Sequence, residues 1–506
     1  MLAPLSWLKE YVDITPNPKE LGGRLTEIGL GTEKITKTDG DIIFEFEITP
    51  NRPDLLSIIG IAREISAIEN KKIKLPKIFT RSILTQGYSF KQVKLRKILP
   101  LVIKTDPKIN PRFTGIIIDK VTVKDSPKWL QERLIKINQR PINNIVDITN
   151  YVMLELGNPI HAFDYALINK HTMLVTQTKG GELFKSVDGI SYHLPKGAVI
   201  IKDRENIIDL CGIKGGFNSG TFKETKTIFI RVPVENPILI RKASQALGLR
   251  SEASSIFERG VNAGGTVDAL KRCVDLILEI AGGEIASDLY DIKAEEFRPW
   301  KLELRIERLN KILGIEIPEK KVLSILESLN LNPRVKQHLE GGRRTPSRWI
   351  LGEIECTIPT YRNDLKIEED LIEEVARIYG YNNFPKTIPI GQIPVKKVPY
   401  FKDYEIEEKA KNILKATGFS EIYTYSLIGE QDLVEQKWKT ENVLRVDNPV
   451  SREFEYLRPT LKINLLKAYL QNKPNFKDIN LFELGKVYLG KNLNEAKEVY
   501  FLSGIT

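Results

Sequence analysis

Apolar residues recur every three or four positions in several segments, which is the spacing of an amphipathic helix. The clearest such segment runs from residue 266 to residue 281 and stops at the pair Gly282-Gly283, a common helix end. Another runs from residue 404 to residue 417. Between about residues 100 and 295 the pattern changes to short β-branched runs, such as 113–123, which predict strands. The pattern therefore predicts an α+β protein, and a length of 506 residues predicts several domains.

One helical pattern occurs twice. Arg52-Pro-Asp54 precedes Glu64 by the same spacing with which Arg362-Asn-Asp364 precedes Glu374. The apolar positions match as well: Ile61, Ile65 and Ile68 with Leu371, Val375 and Ile378, and upstream Leu21, Leu25, Ile28 and Leu30 with Val322, Leu326, Leu329 and Leu331. Each copy is expected to form a helix, an extended hairpin, a turn and a helix over about 70 to 80 residues.

The second copy carries additional acids. Asp364, Asp370, Glu373 and Glu374 are all acidic, whereas the first copy has Gly60 and Arg63 at two of these positions. On a helix, Asp370, Glu373, Glu374 and Arg377 share one face, predicted to be open to solvent or to a partner. Carboxylates grouped in this way suit Mg²⁺. The spacing is equally typical of a solvated acidic face, with Asp364 as a helix cap like Asp54.

Charge and cysteine content narrow the class of protein. The formal net charge is +10, and residues 71–110 hold nine lysines and two arginines against the single acid Asp106. This segment is either a solvated linker or a path for a phosphate backbone. The three separated cysteines indicate no disulfide framework and no structural zinc site. No secretory signal and no uninterrupted apolar run of membrane length occur, so a cytoplasmic location is expected.

Several separate runs resemble the β subunit of bacterial-type phenylalanyl-tRNA synthetase, and they follow each other in the order of that family. The runs are Leu5–Val12, Thr49–Leu55, Asn144–Asp164, Phe257–Val261, Asp370–Glu374 and Leu481–Gly485. The resemblance covers nearly the whole chain, and the run Asn144–Asp164 is the most specific part of it.

The resemblance implies a multidomain α+β fold in which two related helix/hairpin repeat units flank a mixed α+β editing-like domain. A truncated class II synthetase-like antiparallel domain is expected to follow. The expected boundaries are 1–75 for the first repeat unit, 76–110 for the basic connector, 111–295 for the editing-like tRNA-binding domain, 298–385 for the second repeat unit and 395–506 for the incomplete catalytic-like domain.

The resemblance also implies a function. In this family the β subunit pairs with a catalytic α subunit in an (αβ)₂ heterotetramer that attaches phenylalanine to tRNA(Phe). ATP and phenylalanine bind to α, so no aminoacylation residue is expected in this chain. A Mg²⁺ site shared with α maps onto Asp364, Asp370, Glu373 and Glu374.

The central domain resembles the family's editing domain, which hydrolyses tyrosine wrongly attached to tRNA(Phe). The pocket residues map onto His161, Ser251, Ala253 and Arg231. Arg231 stands where the family has a glutamate that receives the tyrosine hydroxyl, and a guanidinium cannot accept a hydrogen bond. Ile256 likewise replaces an arginine. Two readings stay open for the central domain, an active editing site and a structural remnant.

The expected chain is a compact form of the subunit. The inserted OB-fold tRNA-binding domain and the C-terminal anticodon-binding domain have no counterpart, so tRNA contacts are expected on the basic connector at Lys91, Lys94, Arg96 and Lys97. The leading interpretation is a subunit of an aminoacyl-tRNA ligase. The alternatives are a free-standing deacylase of mischarged tRNA and a general nucleic-acid-binding protein.

Overall fold

A computed structural model describes residues 1–76, 98–336, 352–388, 391 and 399–506. Within these ranges the chain forms two compact units, Met1–Lys386 and Thr387–Thr506. Both contain helices and sheets, which confirms the mixed α+β class and the multidomain architecture expected from the sequence. The predicted tRNA contacts Lys91, Lys94, Arg96 and Lys97 lie outside the described residues.

The first 70 residues form a small sheet covered by helices. The elements are β1 (Leu2–Pro4), α1 (Leu5–Tyr11), α2 (Pro18–Glu27), β2 (Gly31–Thr38), β3 (Asp41–Glu47) and α3 (Ile58–Glu69). The sheet order is β1-β3-β2, with antiparallel pairs. Apolar side chains of α3 are buried on nearly every turn, as the sequence pattern predicts.

The central segment contains two five-stranded sheets. Its elements are β4 (Val102–Lys104), β5 (Arg112–Asp119), α4 (Lys128–Ile135), α5 (Asn144–Leu156), β6 (His161–Asp164), β7 (Thr172–Gln177), β8 (Leu183–Lys185), β9 (Ser191–His193), β10 (Val199–Lys202), β11 (Ile207–Leu210), β12 (Lys214–Gly215), β13 (Ile228–Val234), α6 (Pro237–Leu247), α7 (Glu252–Phe257), α8 (Thr266–Ile280), β14 (Glu284–Ile285) and β15 (Tyr290–Lys293). One sheet has the order β12-β11-β10-β7-β4. The other has the order β14-β5-β13-β6, and β15 also pairs with β5.

The next segment repeats the element order of the first 70 residues. It consists of β16 (Trp300–Arg305), α9 (Ile306–Leu313), α10 (Glu319–Ser328), β17 (Arg334–Val335), β18 (Glu353–Ile358) and α11 (Glu368–Tyr379). Its sheet order, β16-β18-β17, corresponds to β1-β3-β2. Both segments are therefore strand, helix, helix, hairpin, helix, with the last strand in the middle of the sheet.

The two similar segments pack against each other. Ala67 of α3 belongs to the apolar core of the second segment, and Ile378 of α11 packs against both cores. The helices that carry the matched glutamates therefore lie side by side inside the first compact unit.

The second compact unit contains α12 (Phe401–Ala416), β19 (Ser420–Glu421), β20 (Leu427–Ile428), α13 (Glu430–Glu435), β21 (Tyr456–Leu457), α14 (Lys462–Asn472), β22 (Leu481–Leu489) and β23 (Lys497–Ile505). Its main sheet has the order β19-β22-β23. The long hairpin β22-β23 is antiparallel, but β19 pairs with β22 in parallel, so the sheet is mixed where the sequence predicted an antiparallel one.

Across the described parts of the chain, none of the helices combines the length and the apolar character needed to cross a membrane.

Candidate functional site

The matched arginines and acids of the two repeats form one buried ion-pair network. In the first repeat, Arg52 donates to both oxygens of Asp54 at 2.9 Å and to Glu64 at 2.7 Å. The ion pair between Arg52 and Asp54 spans the turn before α3. It positions the guanidinium for its hydrogen bond to Glu64 on that helix.

The second repeat builds the same arrangement. Arg362 donates to Asp364 at 2.7 Å and to Glu374 at 2.7 Å. Arg362 and Glu374 are only 2% and 3% exposed, so the pair is shielded from solvent. Asp364 thus matches Asp54 in its role as well as in its position, and neither acts as the helix cap considered from the sequence.

Arg377 joins the two halves. Its guanidinium donates to Glu374 at 2.6 and 2.7 Å and, across the contact between the repeats, to Glu64 at 2.5 Å. Burial alone would raise the pKa of Glu64, but the two arginines Arg377 and Arg52 outweigh it and lower this pKa to about 2. The pKa of Glu374 is likewise lowered, against its burial, by Arg377 and Arg362. Both glutamates are therefore ionised at neutral pH.

This network corrects the expectation that one open face of α11 carries the acids. Glu374 and Arg377 are buried against the first repeat, whereas Glu373 is exposed. Asp370 is half-buried and caps its own helix, because its Oδ2 accepts from the backbone N–H groups of Lys366 and Ile367 at 2.6 and 2.8 Å.

The structure does not bring the four predicted magnesium ligands together. Asp364 and Glu374 accept hydrogen bonds from arginines, Asp370 accepts them from backbone amides, and Glu373 is exposed to solvent. Within the described residues, no group of three or more His, Cys, Asp or Glu side chains could hold a metal ion. Their arrangement does not fit one Mg²⁺ ion, because two of the four carboxylates are already neutralised by buried guanidinium groups.

The first repeat explains why Gly60 replaces the acid. A Cβ atom at Gly60 would lie 1.9 Å from the carbonyl oxygen of Asp54, so only glycine fits this turn. The backbone N–H of Gly60 donates to Ser57, which caps α3. The other substituted position, Arg63, places its guanidinium 3.8 Å from the ring centroid of Tyr361 in the second repeat. Both departures from the acidic pattern therefore have structural reasons.

A second candidate site is a cavity of about 90 Å³ where the two central sheets meet. Three predicted pocket residues, His161, Arg231 and Ala253, line it, together with Asp209, Gly215 and Phe257. The fourth, Ser251, is the cap of α7, and its hydroxyl accepts from the backbone N–H of Ser254 at 3.0 Å. Ile256, which replaces the family's arginine, is buried in the core.

His161 and Arg231 are directly opposite each other on the paired strands β6 and β13, so both side chains lie on the same face of the sheet. The imidazole packs against β12, where a Cβ atom on Gly215 would approach its Cε1 atom to 2.6 Å. Burial, assisted by the positive charge of Arg231, lowers the pKa of His161 to about 4. The imidazole is therefore neutral at pH 7.

Arg231 is fully enclosed and is paired with an acid of its own strand. Its Nη2 donates to Glu235 at 2.6 Å, and its guanidinium lies 4.8 Å from the ring centroid of Phe113. Glu235 also accepts from Asn110 at 3.1 Å. Glu235 therefore serves to neutralise Arg231 and does not replace the missing acceptor in the cavity.

Asp209 is the cavity residue that the sequence interpretation missed. It lies on β11, and its Oδ2 is 3.8 Å from Nη1 of Arg231, beyond the length of a direct hydrogen bond. Burial raises the pKa of Asp209 to about 7, although Arg231 opposes the shift. The available signal was an acid within the apolar run Ile207–Cys211, because buried strand positions rarely carry a charge.

Comparison with protein families gives three consecutive matches. Residues 109–282 match the B3/4 domain, residues 302–381 match the tRNA synthetase B5 domain, and residues 384–506 match the phenylalanyl tRNA synthetase beta chain CLM domain. The cavity lies within the first match, and Arg362, Glu374 and Arg377 lie within the second.

Two curated relatives agree with these matches. The phenylalanine–tRNA ligase beta subunit of Carboxydothermus hydrogenoformans is 35% identical over 94% of this chain and 57% of its own length, and that of Thermotoga maritima is 33% identical over 97% and 58%. An N-terminal fragment of the phenylalanyl-tRNA synthetase beta subunit from Pyrococcus horikoshii aligns with 75% of this chain and 99% of its own, at 17% identity and a TM-score of 0.40.

The chain thus spans somewhat more than half the length of the curated relatives that it matches. The three domain matches and the relatives agree with the resemblance found in the sequence, which is thereby confirmed: the chain belongs to the family of phenylalanine–tRNA ligase beta subunits.

Proposed function

We propose that this chain provides the beta-subunit part of a phenylalanine–tRNA ligase, which attaches phenylalanine to tRNA(Phe) at the expense of ATP. The observation that carries the proposal is the series of three family matches, which follow one another from residue 109 to residue 506. Because the chain spans only part of its relatives, the activity is proposed for an assembly and not for the chain alone.

The proposed division of labour assigns ATP and phenylalanine to an alpha subunit in a cytoplasmic (αβ)₂ heterotetramer. This chain would contribute tRNA contacts and assembly surface. The ion-pair network supports a structural role for the two repeats, because it fixes their relative position through buried charges. The Mg²⁺ site on Asp364, Asp370, Glu373 and Glu374 stays a prediction, and no step of the proposed function depends on it.

Co-expression with the alpha subunit of a relative tests this proposal. The purified complex is expected to charge tRNA(Phe) with phenylalanine, and the alpha subunit alone is expected not to. Absence of a complex, or of any charging by an intact complex, would contradict the proposal. A variant in which Lys91, Lys94, Arg96 and Lys97 are neutralised tests the tRNA path, because it is expected to bind tRNA more weakly and with a lower salt dependence.

A second proposed activity is hydrolysis of tyrosine from mischarged tRNA(Phe) at the cavity of the B3/4 domain. Two features support it, the half-buried neutral imidazole of His161 and the space beside it. Incubation of the chain alone with Tyr-tRNA(Phe) separates the candidates, because only a free-standing deacylase releases tyrosine without the alpha subunit.

A further inference from the structure

Two side chains that line the cavity at the meeting of the two central sheets carry polar atoms that the protein itself does not satisfy. Among the described residues, Nε2 of His161 and Nε of Arg231 are buried without a hydrogen-bond partner. Leaving such an atom unpaired costs free energy. A ligand that brings an oxygen atom to this position would recover part of that cost.

The charges around the cavity restrict what this ligand can be. Arg231 is neutralised by Glu235 at 2.6 Å, and Asp209 adds a second carboxyl group 3.8 Å from the same guanidinium. Lys214, which also lines the cavity, is paired with Asp188 at 2.5 Å. An anion would meet two carboxyl groups, and a cation would lie close to the guanidinium. The site therefore suits a neutral group.

A neutral hydroxyl group matches the unpaired atoms best, because it can donate one hydrogen bond and accept others. It can donate to the carboxyl group of Asp209 while its oxygen accepts from Nε of Arg231 or from the imidazole of His161. The volume of about 90 Å³ corresponds to roughly three water molecules. Only the far end of a side chain fits into a space of this size.

We propose that Asp209 is a specificity-determining residue of this cavity and accepts a hydrogen bond from the hydroxyl group of a hydroxylated amino-acid side chain. This inference rests on the proposed role of the B3/4 domain in hydrolysing mischarged tRNA. It gives Asp209, not Arg231 or Glu235, the task of telling a hydroxylated side chain from a plain aromatic one.

Equilibrium binding of two small probes tests the inference. Tyrosinamide and phenylalaninamide differ by one hydroxyl group, and both imitate an aminoacyl group without its ester bond. Ligand-observed NMR titration of the full chain is expected to show about tenfold tighter binding of tyrosinamide. In Asp209→Ala the two probes are expected to bind equally.

Two further variants make the test decisive. Asp125→Ala removes an exposed aspartate of the same domain and is expected to keep the preference. Asp209→Asn retains the side-chain shape and one acceptor oxygen, so the preference is expected to fall without vanishing, which provides a result should the alanine variant fail to fold. Equal or absent binding of both probes by the natural chain, or a preference that survives Asp209→Ala, would overturn the inference.

The outcome is independent of the ligase proposal. Charging of tRNA(Phe) by the complex with the alpha subunit does not involve Asp209, so a complex that fails to charge refutes the proposed ligase function and leaves the probe comparison intact. Conversely, a complex that charges normally while its chain binds both probes equally refutes only the role of Asp209.

Discussion

Replacing Glu64 with glutamine is expected to loosen the contact between the two repeats. Glu64 is 3% exposed and accepts from Arg52 at 2.7 Å and from Arg377 at 2.5 Å. Removal of one partner from a buried ion pair typically costs about 3 to 5 kcal/mol. Here each arginine keeps a second carboxylate, Asp54 or Glu374, so a smaller loss of about 2 to 3 kcal/mol is expected.

Thermal unfolding at pH 7 measures this loss. A change of this size corresponds to a fall of roughly 5 °C in the melting temperature of the transition that includes the repeats. Trp7 in the first repeat and Trp300 in the second supply fluorescence probes on both sides of the contact. Glu373→Gln is the matched control, since it makes the same chemical change on the exposed side of α11 and is expected to cost less than about 0.5 kcal/mol.

A double-mutant cycle isolates the contact between the repeats. Glu64→Gln and Arg377→Gln, separately and together, are expected to show a coupling free energy of about 1 to 3 kcal/mol. If Glu64→Gln destabilises the chain no more than Glu373→Gln, or if the coupling is zero, the network does not join the repeats in the manner described.

The pH dependence of the stability tests the direction of the pKa shift of Glu64. The pKa of Glu64 is about 2 in the folded chain and 4.5 in the reference state, so its contribution to stability is complete above pH 4.5 and is lost as the pH falls towards 2. The difference in melting temperature between the natural chain and Glu64→Gln is therefore expected to shrink below pH 4.5.

Three further outcomes are expected. Gly60→Ala should destabilise the chain by about 2 to 4 kcal/mol in urea unfolding, because its Cβ atom would collide with a backbone carbonyl, whereas Gly23→Ala, at a helical position with open space around it, should be neutral or stabilising. Asp209→Asn should raise the melting temperature at pH 8 more than at pH 4. The folded pKa of about 7 lies above the reference value of 3.8, so the folded chain with Asp209 loses stability as the pH rises from 3.8 to 7. Scanning calorimetry of the chain without its partner should give the same melting temperature in EDTA and in excess Mg²⁺, and a Mg²⁺-dependent rise that disappears in Glu373→Gln would contradict the view that arginines occupy this cluster.

The spacing of apolar residues predicted two of the longer helices within a few residues of their observed ends. The helix expected at 266–281 is observed as Thr266–Ile280, and the one expected at 404–417 as Phe401–Ala416. The short strand β1 was not predicted, since three residues carry no readable alternation. The order of strands in the central sheets could not be predicted from the sequence pattern, because it depends on pairings between distant segments.

The residues of the candidate site were likewise predicted only in part. Family resemblance identified His161, Arg231 and Ala253, and the structure places all three around one cavity. It did not identify Asp209, whose importance depends on the position of β11 relative to β13, and these strands belong to different sheets. For the acids of α11, helical spacing predicted which residues share a face. It did not predict that the first repeat covers part of that face.

The packing of two similar repeats brings two negatively charged glutamates close together, and Arg377 offsets their repulsion. When two copies of one unit pack through the same helix, their matched glutamates approach each other, and Glu374 indeed acts to raise the pKa of Glu64. The first copy has Ala67 at the position that corresponds to Arg377, so only one of the copies carries the arginine. Arg377 bonds to both carboxylates, while Arg52 adds a second cation at Glu64 and Arg362 a second cation at Glu374. A second arginine in place of Ala67 would crowd the core that this small side chain helps to fill. Of the predicted metal set, Asp364 and Glu374 thus belong to this network and Asp370 caps α11, whereas Glu373 is exposed to solvent and takes part in neither arrangement.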